Sequence, residues 1–179
     1  STLVLLGRAL TKIQADLSFE GGSLDELLAE KLGPRLQRFH PEHLPAGSLR
    51  RPDGGLWMFS DGLVLAINAA GGLELFNSQL EERCGELLYH AAVADAERGG
   101  AWLLAGLGRI VFLPDDSTNA YVFNLAEQGC RGEGKYPNPW IDLDADGSLW
   151  FCLNTAEGLK TVAAGELAAG LERATPYGS

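Results

Sequence analysis

Cysteine is scarce in this chain. Its three residues, Cys84, Cys130 and Cys152, are odd in number and irregularly spaced over 179 residues. That arithmetic argues against both a disulfide framework and a zinc ribbon, and it fits a reducing compartment better than an oxidising one, although one disulfide plus a thiol is compatible with it. Positive charge is short as well: fourteen Lys and Arg stand against twenty-four Asp and Glu, a formal charge of −10. Such a surface repels nucleic-acid phosphates and anionic lipid heads unless basic residues gather locally. Only Arg35, Arg38, Arg50 and Arg51 approach a cluster, and they read as a solvated helix face and a turn. Long apolar runs are missing too. The longest, around Leu63 to Ile67, is far too short to span a bilayer, and the first residues lack a basic start followed by an apolar stretch. Neither nucleic acid nor membrane is expected as a partner, and the expected localisation is cytoplasmic, with a periplasmic setting as the alternative.

What remains is ordinary for a globular protein: 46% apolar and 21% charged residues. The length suits one compact domain over 1–179 with its own core. Within it, residues 1–47 differ from the rest. Leu3 to Leu6 reads as a strand and Leu17 to Glu20 as another. Ser23-Leu24-Asp25-Glu26 is a capping box that predicts a helix from Leu24 to about Leu32. Gly33-Pro34 ends or kinks it, and Pro41 and Pro45 mark a linker.

A self-similar motif then appears three times: Asp53-Gly-Gly-Leu-Trp57, Arg98-Gly-Gly-Ala-Trp102 and Asp146-Gly-Ser-Leu-Trp150, with the tryptophans 45 and 48 residues apart. This period suits a unit of about four short strands. In each copy the glycines supply a tight turn, and the aromatic and aliphatic run that follows has the composition of a buried strand. Return strands are expected at Gly62–Ile67, Gly106–Leu113 and Gly158–Val162, and further strands at Leu73–Phe76 and Ala120–Phe123. Ala163 to Ala174, rich in Ala, Leu and Glu, departs from the scheme and reads as a terminal helix. The predicted units are 48–91, 92–140 and 141–179.

The pattern Asp-x-x-Gly-x-Leu-Trp-Phe followed by Gly-Leu, best carried by Asp144 to Leu159, resembles the blade repeat of sensor propellers in bacterial two-component regulators. Asp53 to Leu63 is a shortened match, and Arg98 to Leu107 keeps only Gly and Trp. The likeness covers at most residues 48–162 and implies ligand sensing in a larger signalling protein. Three units cannot close a ring. The expected fold is therefore mainly β: an open, propeller-like repeat of antiparallel β-meanders with an N-terminal helix. The alternative is α+β with a strongly bent antiparallel sheet.

The chemical motifs are incomplete. Gly129 to Lys135 has the spacing of a phosphate loop, but Tyr136 replaces the hydroxyl residue, and Pro137 and Pro139 forbid the helix that should follow. Asp142, Asp144 and Asp146 copy the first half of a calcium loop, whose closing ligand position holds Leu153; they form a weak calcium candidate beside the simpler reading, an acidic turn. His40-Pro-Glu-His43, with Cys84 and His90, lacks the helical face that usually presents metal ligands. No nucleophile elbow or activated cysteine is visible. Neither cofactor nor catalytic residue is assigned. Trp57, Trp102 and Trp150 are expected in the core. Trp140, in a Pro- and Asn-rich loop with Tyr136 and Asn138, is the expected exposed anchor for a protein partner, with Asp115 and Asp116 as acidic contacts.

These observations favour a non-enzymatic protein-binding module, most concretely an immunity or inhibitor protein that neutralises a basic bacterial toxin or effector by covering its active site. A ligand-sensing propeller-like module is the second reading. A hydrolase using Asp142, Asp144 and Asp146 is the third.

Overall fold

A computed structural model describes residues 2–6, 9–13, 19–23, 26, 29, 30, 33, 47–60, 63–70, 72–76, 89–105, 108–115, 120–124, 139–152 and 158–174. The chain divides into two compact units, residues 1–76 and 77–179. Its described sheets are all antiparallel meanders in which each strand pairs with its neighbour in sequence.

The first unit holds two sheets. One is β1 (Thr2–Leu6), β2 (Ala9–Ile13) and β3 (Phe19–Ser23); the other is β4 (Gly47–Arg50), β5 (Leu56–Ser60), β6 (Leu63–Ile67) and β7 (Leu73–Phe76). Leu56 to Phe59 and Val64 to Ile67 are buried without alternation, so both faces of this central strand pair are covered. The Leu- and aromatic-rich composition of β5 and β6 suits that double burial. Of the predicted N-terminal helix, Glu26, Ala29 and Glu30 have helical backbone and are exposed; the rest of that segment lies outside the described residues.

The second unit holds a four-stranded sheet, β8 (Tyr89–Asp95), β9 (Gly100–Ala105), β10 (Arg109–Pro114) and β11 (Tyr121–Asn124), and a three-stranded one, β12 (Trp140–Leu143), β13 (Leu149–Cys152) and β14 (Lys160–Val162). The helix α1 (Ala164–Arg173) follows. One core joins them. Trp102, Leu104, Ile110 and Phe112 of the larger sheet pack on Ile141, Leu149, Phe151 and Val162 of the smaller and on Leu167 of α1. Trp102 lies opposite Phe112 in the register, their ring centroids 4.7 Å apart, and 5.7 Å from Phe123. Tilted aromatic pairs of this kind add about 0.5–1.5 kcal/mol each beyond their burial.

Several predicted strands lie close to their expected positions, and the terminal helix does too. The leading strand of each repeat is where the structure adds most. β4, β8 and β12 precede the tryptophan strands, so the sheets begin at Gly47, Tyr89 and Trp140. Trp140 is consequently the first residue of a strand rather than a loop residue, paired with Cys152.

The hairpin turns explain the repeated motif. In the first and third, Gly54 and Gly147 take positive φ, 85° and 78°, and donate to the carbonyls of Arg51 and Asp144 at 3.0 Å. In both, an aspartate two residues before the strand side closes the turn: Asp53 Oδ1 accepts from Gly55 N and Asp146 Oδ1 from Ser148 N, each at 2.8 Å. The second hairpin is one residue longer between equivalent cross-strand pairs, Val93 and Trp102 against Leu49 and Trp57 or Asp142 and Trp150. There Gly100 lies so close to the returning strand that a Cβ would come within 2.4 Å of the Leu113 carbonyl oxygen. At the corresponding place in the third hairpin stands Ser148, whose hydroxyl accepts from Ala164 N at 3.3 Å. It thereby caps α1, for which Ala163 offers no side-chain acceptor.

Candidate functional site

The sheet β12–β14 has one face in the core and one outside, as strand alternation requires. Ile141, Leu149, Phe151 and Val162 point inward. Trp140, Asp142, Trp150, Cys152 and Thr161 share the other face, because Trp140 is opposite Cys152, and Asp142 is opposite Trp150, which is opposite Thr161. Trp140 is 45% exposed, Asp142 and Thr161 are exposed, and Trp150 and Cys152 are half-buried. The two indoles are diagonal neighbours, a separation that long side chains bridge.

Trp150 is held in place from the turn. Its Nε1–H donates to Asp144 Oδ2 at 3.0 Å, while Asp144 Oδ1 accepts from Asp146 N at 2.8 Å. Hydrogen bonding with Asp144 and then with Ser148 holds the Asp146 carboxyl below the usual carboxylate range. Asp142 Oδ1 accepts from Leu143 N at 2.9 Å. The acidic stretch is thus an Asp-rich turn whose carboxylates bond within their own hairpin. Among the described residues, no group of three or more His, Cys, Asp or Glu side chains converges to hold a metal ion.

The same contact recurs in the second hairpin. Trp102 Nε1–H donates to Asp95 Oδ2 at 2.7 Å, and Arg98 joins that carboxylate through both its backbone N, at 3.0 Å, and Nη1, at 2.8 Å. Burial on its own raises the Asp95 pKa, but the hydrogen bonds from Arg98 and Trp102 outweigh it and the net direction is downward. Arg98 Nη2 continues to the Gly147 carbonyl at 3.1 Å, so this guanidinium ties the second turn to the third. In the first hairpin the corresponding residue is Arg51, whose guanidinium lies 4.7 Å from the Trp57 ring centroid and whose Nε is 3.4 Å from Asp53.

Of the predicted partner contacts, Trp140 stands on the exposed face described above. Asp115 is in the turn just after β10, half-buried, its amide donating to the Gly99 carbonyl at 2.8 Å. Tyr136, Asn138 and Asp116 lie outside the described residues, as do Cys84, Cys130, His40 and His43. Trp57 and Trp102 are core residues as expected, whereas Trp150 is half-buried on the outer face. Sequence reasoning missed Trp150, Cys152 and Thr161 as neighbours of Trp140. The alternation from Trp140 to Asp142 was the available signal, but the register that adds the second strand was not.

A cleft of about 610 Å³ lies between α1 and strands β10 and β11. Ile110, Val122, Phe123 and Leu167 give it apolar walls, and Glu166 and Arg173 are its charged lining. Gly170 permits the close approach of helix and sheet: a Cβ there would meet the Phe123 ring at 2.9 Å.

Fold and site together define a mainly β chain of antiparallel meanders with an exposed tryptophan face. No protein-family model and no curated protein matches the sequence. Among the described residues, no helix is long and apolar enough to cross a membrane.

Proposed function

We propose that the chain is a non-enzymatic protein-binding module, an open propeller-like array of β-meanders, that engages a basic partner through the outer face of β12–β14. The observation that carries this reading is the exposed Trp140, set on a rigid strand beside Asp142 and diagonal to Trp150. Exposed aromatics on regular structure are the usual anchors of protein interfaces. The net charge of −10 and the neighbouring Asp144 and Asp146 complement a positively charged surface and accelerate encounter with it. The narrower form of the proposal is an inhibitor that neutralises a basic toxin or effector by occluding its active site.

The test is a pull-down from lysate of the source organism with the wild-type chain and with Trp140→Ala. The expected result is one stoichiometric basic partner, held by the wild type and released by the variant, with the partner's own activity suppressed in the complex. Equal retention by both chains would remove the reading.

The cleft beside α1 supports a second reading, a ligand-sensing module. Its apolar walls and charged lining suit a small amphipathic molecule. Thermal stabilisation of the chain by such a compound, lost on filling the cleft with Gly165→Leu, would favour this reading over the first.

A further inference from the structure

Each of the three hairpins places its tryptophan beside a charged residue at its turn, Arg51, Asp95 or Asp144, and in the first two the cluster contains an arginine. In the first, Arg51 stacks on Trp57 and pairs with Asp53. In the second, Arg98 pairs with the Asp95 that also accepts from Trp102. The third repeats the second almost bond for bond. Asp144 Oδ1 accepts a turn amide, as Asp95 Oδ1 does, and Asp144 Oδ2 accepts the indole N–H, as Asp95 Oδ2 does. Only the guanidinium is missing: among the described residues no cation pairs with Asp142, Asp144 or Asp146.

The outer face differs in the same sense. The residue opposite the tryptophan on the preceding strand is Leu49 in the first hairpin and Val93 in the second, but Asp142 in the third. On the following strand the sequence runs Ala66, Phe112, then Thr161. Polar residues on this face fit a surface that meets water in the isolated chain.

We propose that the third cluster takes its arginine from the partner. A guanidinium stacks on Trp150 and pairs with Asp144, with Asp142 alongside, while Trp140 covers the neighbouring residue of the partner segment. Arginine fits better than lysine because its planar fork stacks on an indole and meets a carboxylate with directed N–H groups at the same time. The inference rests on the protein-binding reading and names the chemistry the partner must present.

The experiment uses the full ¹⁵N-labelled chain and follows the indole N–H signals during titration with a capped Gly-Ser-Arg-Ser-Gly peptide and its neutral citrulline twin. The expected result is saturable movement of the Trp150 and Trp140 signals with the arginine peptide, Trp102 remaining still, and binding about tenfold weaker for citrulline, the scale of a lost charge-assisted contact. Asp144→Asn is expected to weaken arginine binding by a similar factor. Should that variant disturb the Trp102 signal, Asp142→Asn is the second test, with a smaller loss. Equal affinity for the two peptides, or no saturable movement at Trp150, would overturn the proposal. If citrulline equals arginine while Trp140→Ala still releases the partner, the guanidinium seat falls and the module stands. If arginine binds as stated while Trp140→Ala retains the partner, the module falls and the seat stands.

Discussion

The sheets β8–β11 and β12–β14 each place a tryptophan on the second strand of a hairpin and hold its N–H with an aspartate at the turn, Asp95 or Asp144, yet Trp102 is 0% exposed and Trp150 is half-buried. The difference comes from the neighbours rather than from the motif. The Trp102 face meets another sheet and a helix, whereas the Trp150 face carries Asp142 and Thr161 among its indoles. One local device therefore serves two purposes: in a covered sheet it satisfies a buried donor, and at an open face it orients an aromatic surface.

Paired substitutions sharpen that contrast. The largest effect is expected for Trp102→Ala, about 3–5 kcal/mol by urea unfolding, the range for emptying a large aromatic site in a core. Trp150→Ala should lose well under half of that; equal losses would mean that the two faces are equally covered. Next, Asp95→Ala leaves the buried Trp102 N–H and the Arg98 guanidinium without their acceptor, an expected loss of about 2–4 kcal/mol. Asp144→Ala, at the exposed counterpart, should lose less than about 1 kcal/mol. Gly100→Ala forces a methyl against the Leu113 carbonyl and should destabilise by about 1–3 kcal/mol, whereas Ser148→Ala removes only one cap, about 1 kcal/mol.

The pH dependence separates the sheets more finely. Asp95 has its folded pKa below that of an ordinary aspartate, so its contribution is present above the ordinary value and is lost as the pH falls through the depressed folded pKa. Unfolding followed between pH 6 and the acid limit should show this loss, and Asp95→Asn should flatten it. The smallest effect is expected for Trp140→Ala, a stability change within about 0.5 kcal/mol, since the side chain lies largely outside the core. A larger loss would reassign Trp140 to packing.

Much of the repeat was legible in the sequence because its punctuation is local. Gly54 and Gly147 demand turns, and the aliphatic and aromatic runs after them demand strands. The leading strands were harder to see. Gly47–Arg50 and Tyr89–Asp95 carry glycine, alanine and charge with Val93 as their one β-branched residue, and they are strands because a neighbour pairs with them. Trp140 was singled out by its proline-rich surroundings, which suggested a loop although the chain pairs there with β13. The relation of Trp140 to Trp150 depends on cross-strand register, which no short stretch of sequence encodes. The arginine contacts in the first two clusters were invisible for a similar reason: Arg51 and Arg98 are ordinary turn residues until the fold brings an indole beside them.

The strand order also has a consequence for how the chain is made. Since every described strand pairs only with its neighbour in sequence, each sheet can close as its last strand leaves the ribosome, without waiting for distant segments. The β8–β11 sheet is then complete while β12–β14 and α1 are still unsynthesised, and its aromatic face has nothing to cover it. Translation of residues 125–174 is therefore the interval in which a nascent-chain chaperone has most to protect, and a pause there would favour aggregation more than a pause anywhere later.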